Sequence, residues 1–337
     1  MKTYDLHTHV VPRTIIDAML KEPDRFDAKG QAGNGVKTVE RDGKPYFENN
    51  GRLSAIDLEL YEVDAKIEAM DRMGIDVSAL SVAPPTYFYY LKPEDGLYAS
   101  KLSNDGIAQM VAKNPERLRG MATLPMQDPD AAIVELERCV KEYGFKAVEL
   151  GTSIEREQLS LPKFRKVLKT IEQLGRFIFV HPYQCTAKGG MEGFELFNTI
   201  GFPLDEVIMV AHLMFSGALD DMKKLNILIA HGGGFSPYQI GRFQCAFDNR
   251  ASVRVNTQTP PRELLKRFYF DALTHDPDSL RLLIELVGAD HIAIGTDNPF
   301  DMGYFNPLAE LDKVKNLTPH ERECICCGTA KKLLCED

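Results

Sequence analysis

Short β-rich apolar runs alternate along the chain with segments whose apolar residues recur at a period near 3.6, the pattern of βα units around a parallel sheet. Eight such runs stand out: 4–10, 77–83, 119–124, 146–151, 177–181, 226–231, 268–272 and 291–296. Most are continuously apolar rather than alternating, as expected of strands covered on both faces. Eight strands close a βα barrel, so the expected fold is a (β/α)8 TIM barrel, class α/β, formed as one domain over residues 1–337.

The intervening helices carry their own start and stop signals. Asp128-Pro129 supplies an N-cap and an N1 proline, Ile133, Leu136 and Val140 form an apolar stripe, and Gly144 stops it. Asp276-Pro277 and Gly288 bracket a second helix containing Leu280, Leu283 and Ile284. Thr318-Pro319 with Glu321 reads as a capping box opening a last helix. One stretch, about Asp27 to Asp57, breaks the rhythm. It is rich in Gly, Asn and Lys, and Arg41-Asp42-Gly43-Lys44 lies between two apolar pairs as in a hairpin, so a small β-hairpin insertion after strand one is expected near the barrel mouth. A second irregular segment, Tyr183 to Gly193, follows strand five.

Composition narrows the function classes. With 44% hydrophobic and 26% charged residues the chain has an ordinary globular balance, and its 49 acidic against 40 basic side chains leave a net charge of −9 that repels polyanions. Nucleic acid is not an expected partner. The apolar run Val207 to Phe215 is interrupted by His212 and is far shorter than the roughly 20 residues that span a bilayer, so no membrane association is expected. The opening residues lack a secretory pattern, and seven scattered cysteines suit reduced thiols, which together point to the cytoplasm.

The candidate chemistry begins at His7-Thr8-His9. Period two along a strand puts both imidazoles on one face, one rise apart, as metal ligation needs; two polar residues fraying at a strand end are the alternative. The placement of the other groups favours the metal: His181 ends strand five, His231 ends strand six and Asp297 follows strand eight. All fall at C-terminal strand ends, the face on which such barrels assemble their active sites. Three imidazoles and a carboxylate suit a divalent ion such as Zn²⁺, with water completing the shell; Mn²⁺ or another divalent ion is the alternative.

His7-Thr8-His9, Leu124-Pro125-Met126-Gln127, His181-Pro182, Ala230-His231-Gly232-Gly233-Gly234, Asp271-Ala272-Leu273, His275-Asp276-Pro277 and Gly295-Thr296-Asp297 together resemble the aminocarboxymuconate semialdehyde decarboxylase-like family of the amidohydrolase superfamily. The resemblance runs through nearly the whole chain and is densest from Leu124 onward. It implies that His7, His9, His181 and Asp297 hold one Zn²⁺ per subunit. His231 would then be the general base for the water on the metal, with Asp297 also counted as catalytic. The implied reaction is a non-oxidative loss of CO₂ from a small unsaturated or aromatic carboxylic acid, without an organic cofactor. Strand four ends Glu149-Leu150-Gly151 with Lys146 at the wrong end to bridge two metals, which favours one.

The resemblance also implies a homodimer in which Arg242 reaches across the interface to a substrate carboxylate, a job that suits a guanidinium fork; by residue type alone Arg242 could equally be a surface ion pair. Tyr183 and Phe300 fall at the expected substrate wall. Several positions depart from the pattern: Phe47 stands where the family has a second carboxylate-binding arginine, with Arg52 the nearest replacement. Tyr183 stands for a tryptophan, Asn298 for a tyrosine, and the chain has no tryptophan at all. A related carboxylated substrate is therefore expected rather than aminocarboxymuconate semialdehyde itself. Hydrolysis or hydration of a ring-cleavage product on the same metal is the rival reading, since one barrel serves many chemistries.

Other signals read as structural. Gly232-Gly233-Gly234 lacks the lysine of a phosphate loop and suits a tight turn beside His231; Cys324, Cys326, Cys327 and Cys335 lack zinc-finger spacing; His212, His291 and His320 read as bystanders. His275 fits either a loop role or a place near the ligands, and the aromatic run Tyr87 to Tyr90 fits either the pocket wall or packing under a loop.

Overall fold

Strand formation follows the apolar runs closely. The computed structural model describes residues 2–27, 37–49, 52–185 and 189–336, with the side chains of Asn49 and Arg52 outside the description. Eight parallel strands form one sheet in sequential order: β1 (Tyr4–Val10), β2 (Val77–Val82), β3 (Leu118–Thr123), β4 (Ala147–Gly151), β5 (Phe177–His181), β6 (Asn226–Ile229), β7 (Phe268–Asp271) and β8 (Ile292–Ala293). Every residue of β1, β2, β4 and β5 is buried, because the surrounding helices cover one face and the barrel interior the other. Parallel bridges Asp5↔Ile294 and Thr8↔Asn298 join the last strand region to the first and close the (β/α)8 barrel.

β8 is shorter than the six residues expected. Ile294 N–H donates to Ile325 O, and the N–H groups of Thr296 and Asp297 both turn to His7 O (3.1 and 2.8 Å), so the chain leaves the ladder after Ala293 and aims Asp297 at β1.

The helix signals act as expected. Asp128 accepts from the N–H groups of Asp130 and Ala131, and the helix Pro129–Arg138 runs into one π turn that stops at Gly144 with φ +68°. Asp276 caps Pro277–Val287, and Thr318 with Glu321 completes a capping box on Pro319–Glu323.

Between β1 and β2 the strands Lys37–Arg41 and Lys44–Asn49 pair antiparallel with Arg41 opposite Lys44. The two turn residues, Asp42 (φ +51°) and Gly43 (φ +72°), are both left-handed, the geometry that matches hairpin twist. A third strand, Arg52–Ala55, pairs with Tyr46–Asn49. Residues 28–36 and 50–51 of the irregular stretch lie outside the described residues, as do 186–188 of the one after β5. Phe47 is buried with Ile15, Met19, Phe26, Phe88 and Tyr90 in an apolar cluster separate from the main core, and Phe300 packs against it. Among the described residues, no helix is long and apolar enough to cross a membrane.

Candidate metal centre

The C-terminal ends of β1, β5, β6 and β8 bring five of the expected site residues together. Ring centroids lie 5.1 Å apart for His7 and His9, 4.8 Å for His9 and His181, 5.0 Å for His181 and His231, and 5.2 Å for His7 and His231. Each imidazole has its Nδ1 committed. His9 Nδ1 faces Val82 O at 3.0 Å and His181 Nδ1 faces Pro182 O at 2.7 Å. A carbonyl only accepts, so both Nδ1 atoms carry the proton and both Nε2 atoms present lone pairs. His7 Nδ1 donates to Asp271 at 2.6 Å, the carboxylate–histidine arrangement that orients metal ligands. His231 Nδ1 lies 2.6 Å from Glu206.

The Nε2 atoms converge on Asp297. Its Oδ1 is 3.3 Å from His7 Nε2 and 3.1 Å from His9 Nε2, those two nitrogens are 3.2 Å apart, and Asp297 Oδ2 is 3.9 Å from His231 Nε2. His181 Nε2 and Asp297 Oδ1 are buried without a hydrogen-bond partner. Ligand atoms of His7, His181, His231 and Asp297 all lie within 4.8 Å of one another. The unpartnered His181 nitrogen and Asp297 oxygen are costly in a dry pocket; a divalent cation at their focus would satisfy both, and an imidazole-plus-carboxylate donor set suits one.

The titration behaviour carries the same imprint. Burial alone would lower His7, but Asp297 and Asp271 outweigh it and push its pKa up to about 9. Burial would raise Asp297, yet His7, His231 and His9 hold it well below the usual carboxylate range. Burial and the neighbouring imidazoles keep His181 neutral.

Three supporting residues have no role assigned from the sequence, although Asp271 falls within one of the family motifs. Asp271 ends β7 and accepts from His7 Nδ1 and from the N–H groups of His231, Gly232 and Leu273. Its position at a strand end, like that of His181, was the available signal. Glu206 is buried on the helix Phe202–Phe215, and burial pushes its pKa up to about 7 despite His231. Lys66 is buried on the helix Val63–Met73, where Nζ donates to Thr8 Oγ1 (3.1 Å), His9 O (2.9 Å) and Asn298 Oδ1 (2.7 Å), and burial lowers its pKa to about 8. Both helical charges look like solvated positions in sequence.

The triple glycine is a turn, as expected: Gly234 has φ +60°, and a Cβ there would sit 2.4 Å from Pro203 O. Cys324, Cys326 and Cys327 pack into the core, and His291 stacks on Tyr269 away from the site.

A cavity of about 480 Å³ opens over His181, His231 and Asp297, within the usual size range of small-molecule sites. Phe88, Tyr90, Tyr183, Phe202 and Phe300 supply its aromatic wall, and the Phe300 ring lies 5.2 Å from that of His9. The Tyr183 hydroxyl donates to Glu155 at 2.9 Å, which leaves the ring as its contribution. Tyr87 and Tyr89 sit deeper: Tyr87 donates to buried Glu149, and Tyr89 accepts from Gly151 N–H. Asn298 lies outside the wall, bonded to Lys66 and to Glu59. Among the described residues the wall contains no lysine or arginine. Arg242 is exposed on the helix Ser236–Asn249, and Arg52 begins the third hairpin strand with its side chain outside the description.

Comparison with known proteins accords with this geometry. The amidohydrolase family profile matches residues 4–334. The chain is 30% identical to the 2-amino-3-carboxymuconate-6-semialdehyde decarboxylase of Dictyostelium discoideum over 334 residues, covering 98% of this chain and 90% of that one. It is 30% identical to the gamma-resorcylate decarboxylase of a Rhizobium species over 280 residues, 75% of this chain and 83% of that one. Among solved structures, a dihydroxybenzoic acid decarboxylase from a Polaromonas species, with bound manganese and the inhibitor 2-nitroresorcinol, superposes with a TM-score of 0.77 at 22% identity, covering 99% of this chain and 96% of that one.

Proposed function

Because the chain belongs to the amidohydrolase family, in the branch of the aminocarboxymuconate semialdehyde decarboxylase-like enzymes, we propose that it is a metal-dependent, non-oxidative decarboxylase of a small unsaturated or aromatic carboxylic acid. The observation that carries this reading is the convergence of Nε2 lone pairs and Asp297 at the floor of an aromatic-walled cavity. In our assignment His7, His181 and Asp297 of the converging group, joined by His9, whose Nε2 lies 3.1 Å from Asp297 Oδ1, would hold one divalent ion, zinc by donor chemistry, with manganese the alternative suggested by the Polaromonas neighbour. A bound cation supplies Lewis-acid polarisation of substrate oxygens.

His231 is assigned as the acid–base group rather than a ligand. Its side chain is 18% exposed to the cavity whereas those of His7 and His9 are fully buried, and its Nδ1 faces a carboxylate rather than a carbonyl. Glu206 stabilises the imidazolium, so Nε2 can deliver a proton to the ring or chain carbon as the C–C bond breaks. The bond's electron pair stays on that carbon, the proton from His231 replaces CO₂, and no oxidant or reductant is consumed. Tyr183 and Phe300 keep water from the carbanion-like centre.

A homodimer in which Arg242 meets the substrate carboxylate of the partner's site is the assembly we favour, because Arg242 shares an exposed helix with the 75%-exposed Tyr238, surface that an interface would cover. Seven cysteines with no disulfide among the described residues fit a reducing compartment such as the cytoplasm. The test is CO₂ release by metal-loaded and metal-stripped protein over muconate-type and hydroxylated aromatic acids. Metal-dependent release is expected; acids consumed without CO₂ would overturn the reading in favour of hydrolysis or hydration.

A further inference from the structure

Three residues at the barrel mouth share a backbone conformation that side-chain-bearing residues avoid. His231 follows β6 with φ +51°, His275 follows β7 with φ +57°, and Asp297 follows β8 with φ +58°. All three line the same cavity, as does Phe88 of the aromatic wall, the fourth lining residue with this backbone (φ +54°). Two have roles in the reading above, Asp297 as ligand and His231 as acid–base group. The third has none. Side chains at positive φ also occur in plain turns, as at Asp42, so what sets His275 apart is that its ring lines the cavity beside His231 and Asp297 without a role in that reading.

The His275 loop is pinned. Its backbone N–H donates to the Tyr304 hydroxyl at 2.7 Å, and Tyr304 N–H donates to Thr296 O at 2.8 Å, beside Asp297. The imidazole stands edge-on to the Tyr304 ring, with centroids 5.2 Å apart and planes at 78°. Neither ring nitrogen has a hydrogen-bond partner among the described residues. Burial, then the nearby His231, lowers the pKa of the ring, leaving it neutral with one donor and one acceptor. With no lysine or arginine in the described wall, this chain offers the outer part of a substrate neutral hydrogen bonding, alongside the carboxylate of Asp301, rather than positive charge. A hydroxyl, donor and acceptor at once, matches a neutral imidazole.

We propose that His275 is a substrate-contacting residue that hydrogen-bonds a hydroxyl or oxo oxygen carried away from the departing carboxylate, and so selects oxygenated acids over those lacking that oxygen. The inference rests on the decarboxylase reading and narrows its substrate class.

His275→Gly removes the ring while accepting the backbone conformation, and His275→Asn tolerates it while restoring a donor and an acceptor. The measurements are kcat/KM for CO₂ release from two acids of one skeleton, with and without the hydroxyl, and calorimetric Kd values for the corresponding phenol and arene, all at equal metal content. His275→Gly is expected to lose about tenfold to hundredfold on the hydroxylated acid and less than about twofold on its deoxy partner, with part of the loss recovered in His275→Asn. Equal losses on both acids, or none on either, would overturn the proposal. Wild-type protein that decarboxylates neither acid would instead count against the decarboxylase reading. The binding arm then decides His275 alone: a preference for the phenol that disappears in His275→Gly supports it, and no preference overturns it.

Discussion

At the floor of the cavity, His7, His9 and His181 are no more than 3% exposed, and each has Nδ1 within 3.0 Å of a fixed oxygen. At its rim, Phe197 and Met302 are more than 40% exposed, and His275 has no ring partner among the described residues. The floor is built from barrel strand ends, and the imidazoles there are each fixed by an oxygen behind Nδ1. The rim is built from the segments that follow the strands, Phe197 on a helical turn and His275 and Met302 on loops, which leave groups free to meet a ligand. A site divided this way keeps its metal chemistry constant while its substrate can change.

The largest effect expected at the floor is that of His231→Asn, a substitution that tolerates the left-handed backbone. Turnover should fall by about 10²–10⁴ with metal content by elemental analysis unchanged. Metal lost in parallel would move His231 into the ligand set. Next comes Asp271→Asn, which should weaken metal affinity about 10- to 100-fold in chelator competition, because the charge that orients His7 is gone. Unaltered affinity would break the claim that the floor is fixed from behind.

The wall should respond in KM. Phe300→Ala is expected to raise KM about tenfold with kcat largely kept, whereas Tyr183→Phe should change kcat/KM less than about threefold because the lost hydroxyl serves Glu155. A large kcat loss in either would show that the wall takes part in the chemistry.

The smallest effect belongs far from both regions, at the last capping box. Arg281 and then Thr318 N–H hold the Glu321 pKa down to about 2. A carboxyl depressed on folding stabilises above its unfolded pKa and loses that contribution as pH falls through its folded value, here from about 4.5 toward about 2. Glu321→Gln should therefore cost about 0.5–1 kcal/mol in urea unfolding at pH 7, a difference that shrinks below pH 4, with no change in turnover.

The same division decides what the sequence reveals. Strands buried on both faces are mostly continuous apolar runs, so all eight are legible, and the candidate ligands placed at their ends inherit that legibility. Glu206 is hidden because an acid on a buried helix face looks like any solvated acid until the fold sets it 2.6 Å from His231. Lys66 is hidden likewise: its partners Thr8, His9 and Asn298 come from two strand ends far away in the chain. Phe47 shows a third limit. Its mismatch with the family arginine is visible in sequence, but only packing shows that the position has become part of an apolar cluster bearing Phe300. The rim has no periodicity to read, so His275 stood between two roles.

The seam between β1 and the segment after β8 orders events during synthesis. Thr8 Oγ1 donates to Asn298 O across 290 residues of chain, and His7 O receives the N–H groups of Thr296 and Asp297. A ribosome releases His7 and His9 among the first residues and Asp297 only when most of the chain has emerged, so a nascent chain exposes an imidazole pair with no carboxylate to complete it. Productive loading waits for ring closure, the slow long-range step of such a topology. An ion held by the proposed ligands His7, His9 and Asp297 would clasp the joint between the two ends of the chain, and its rate of loss would report how often that joint opens.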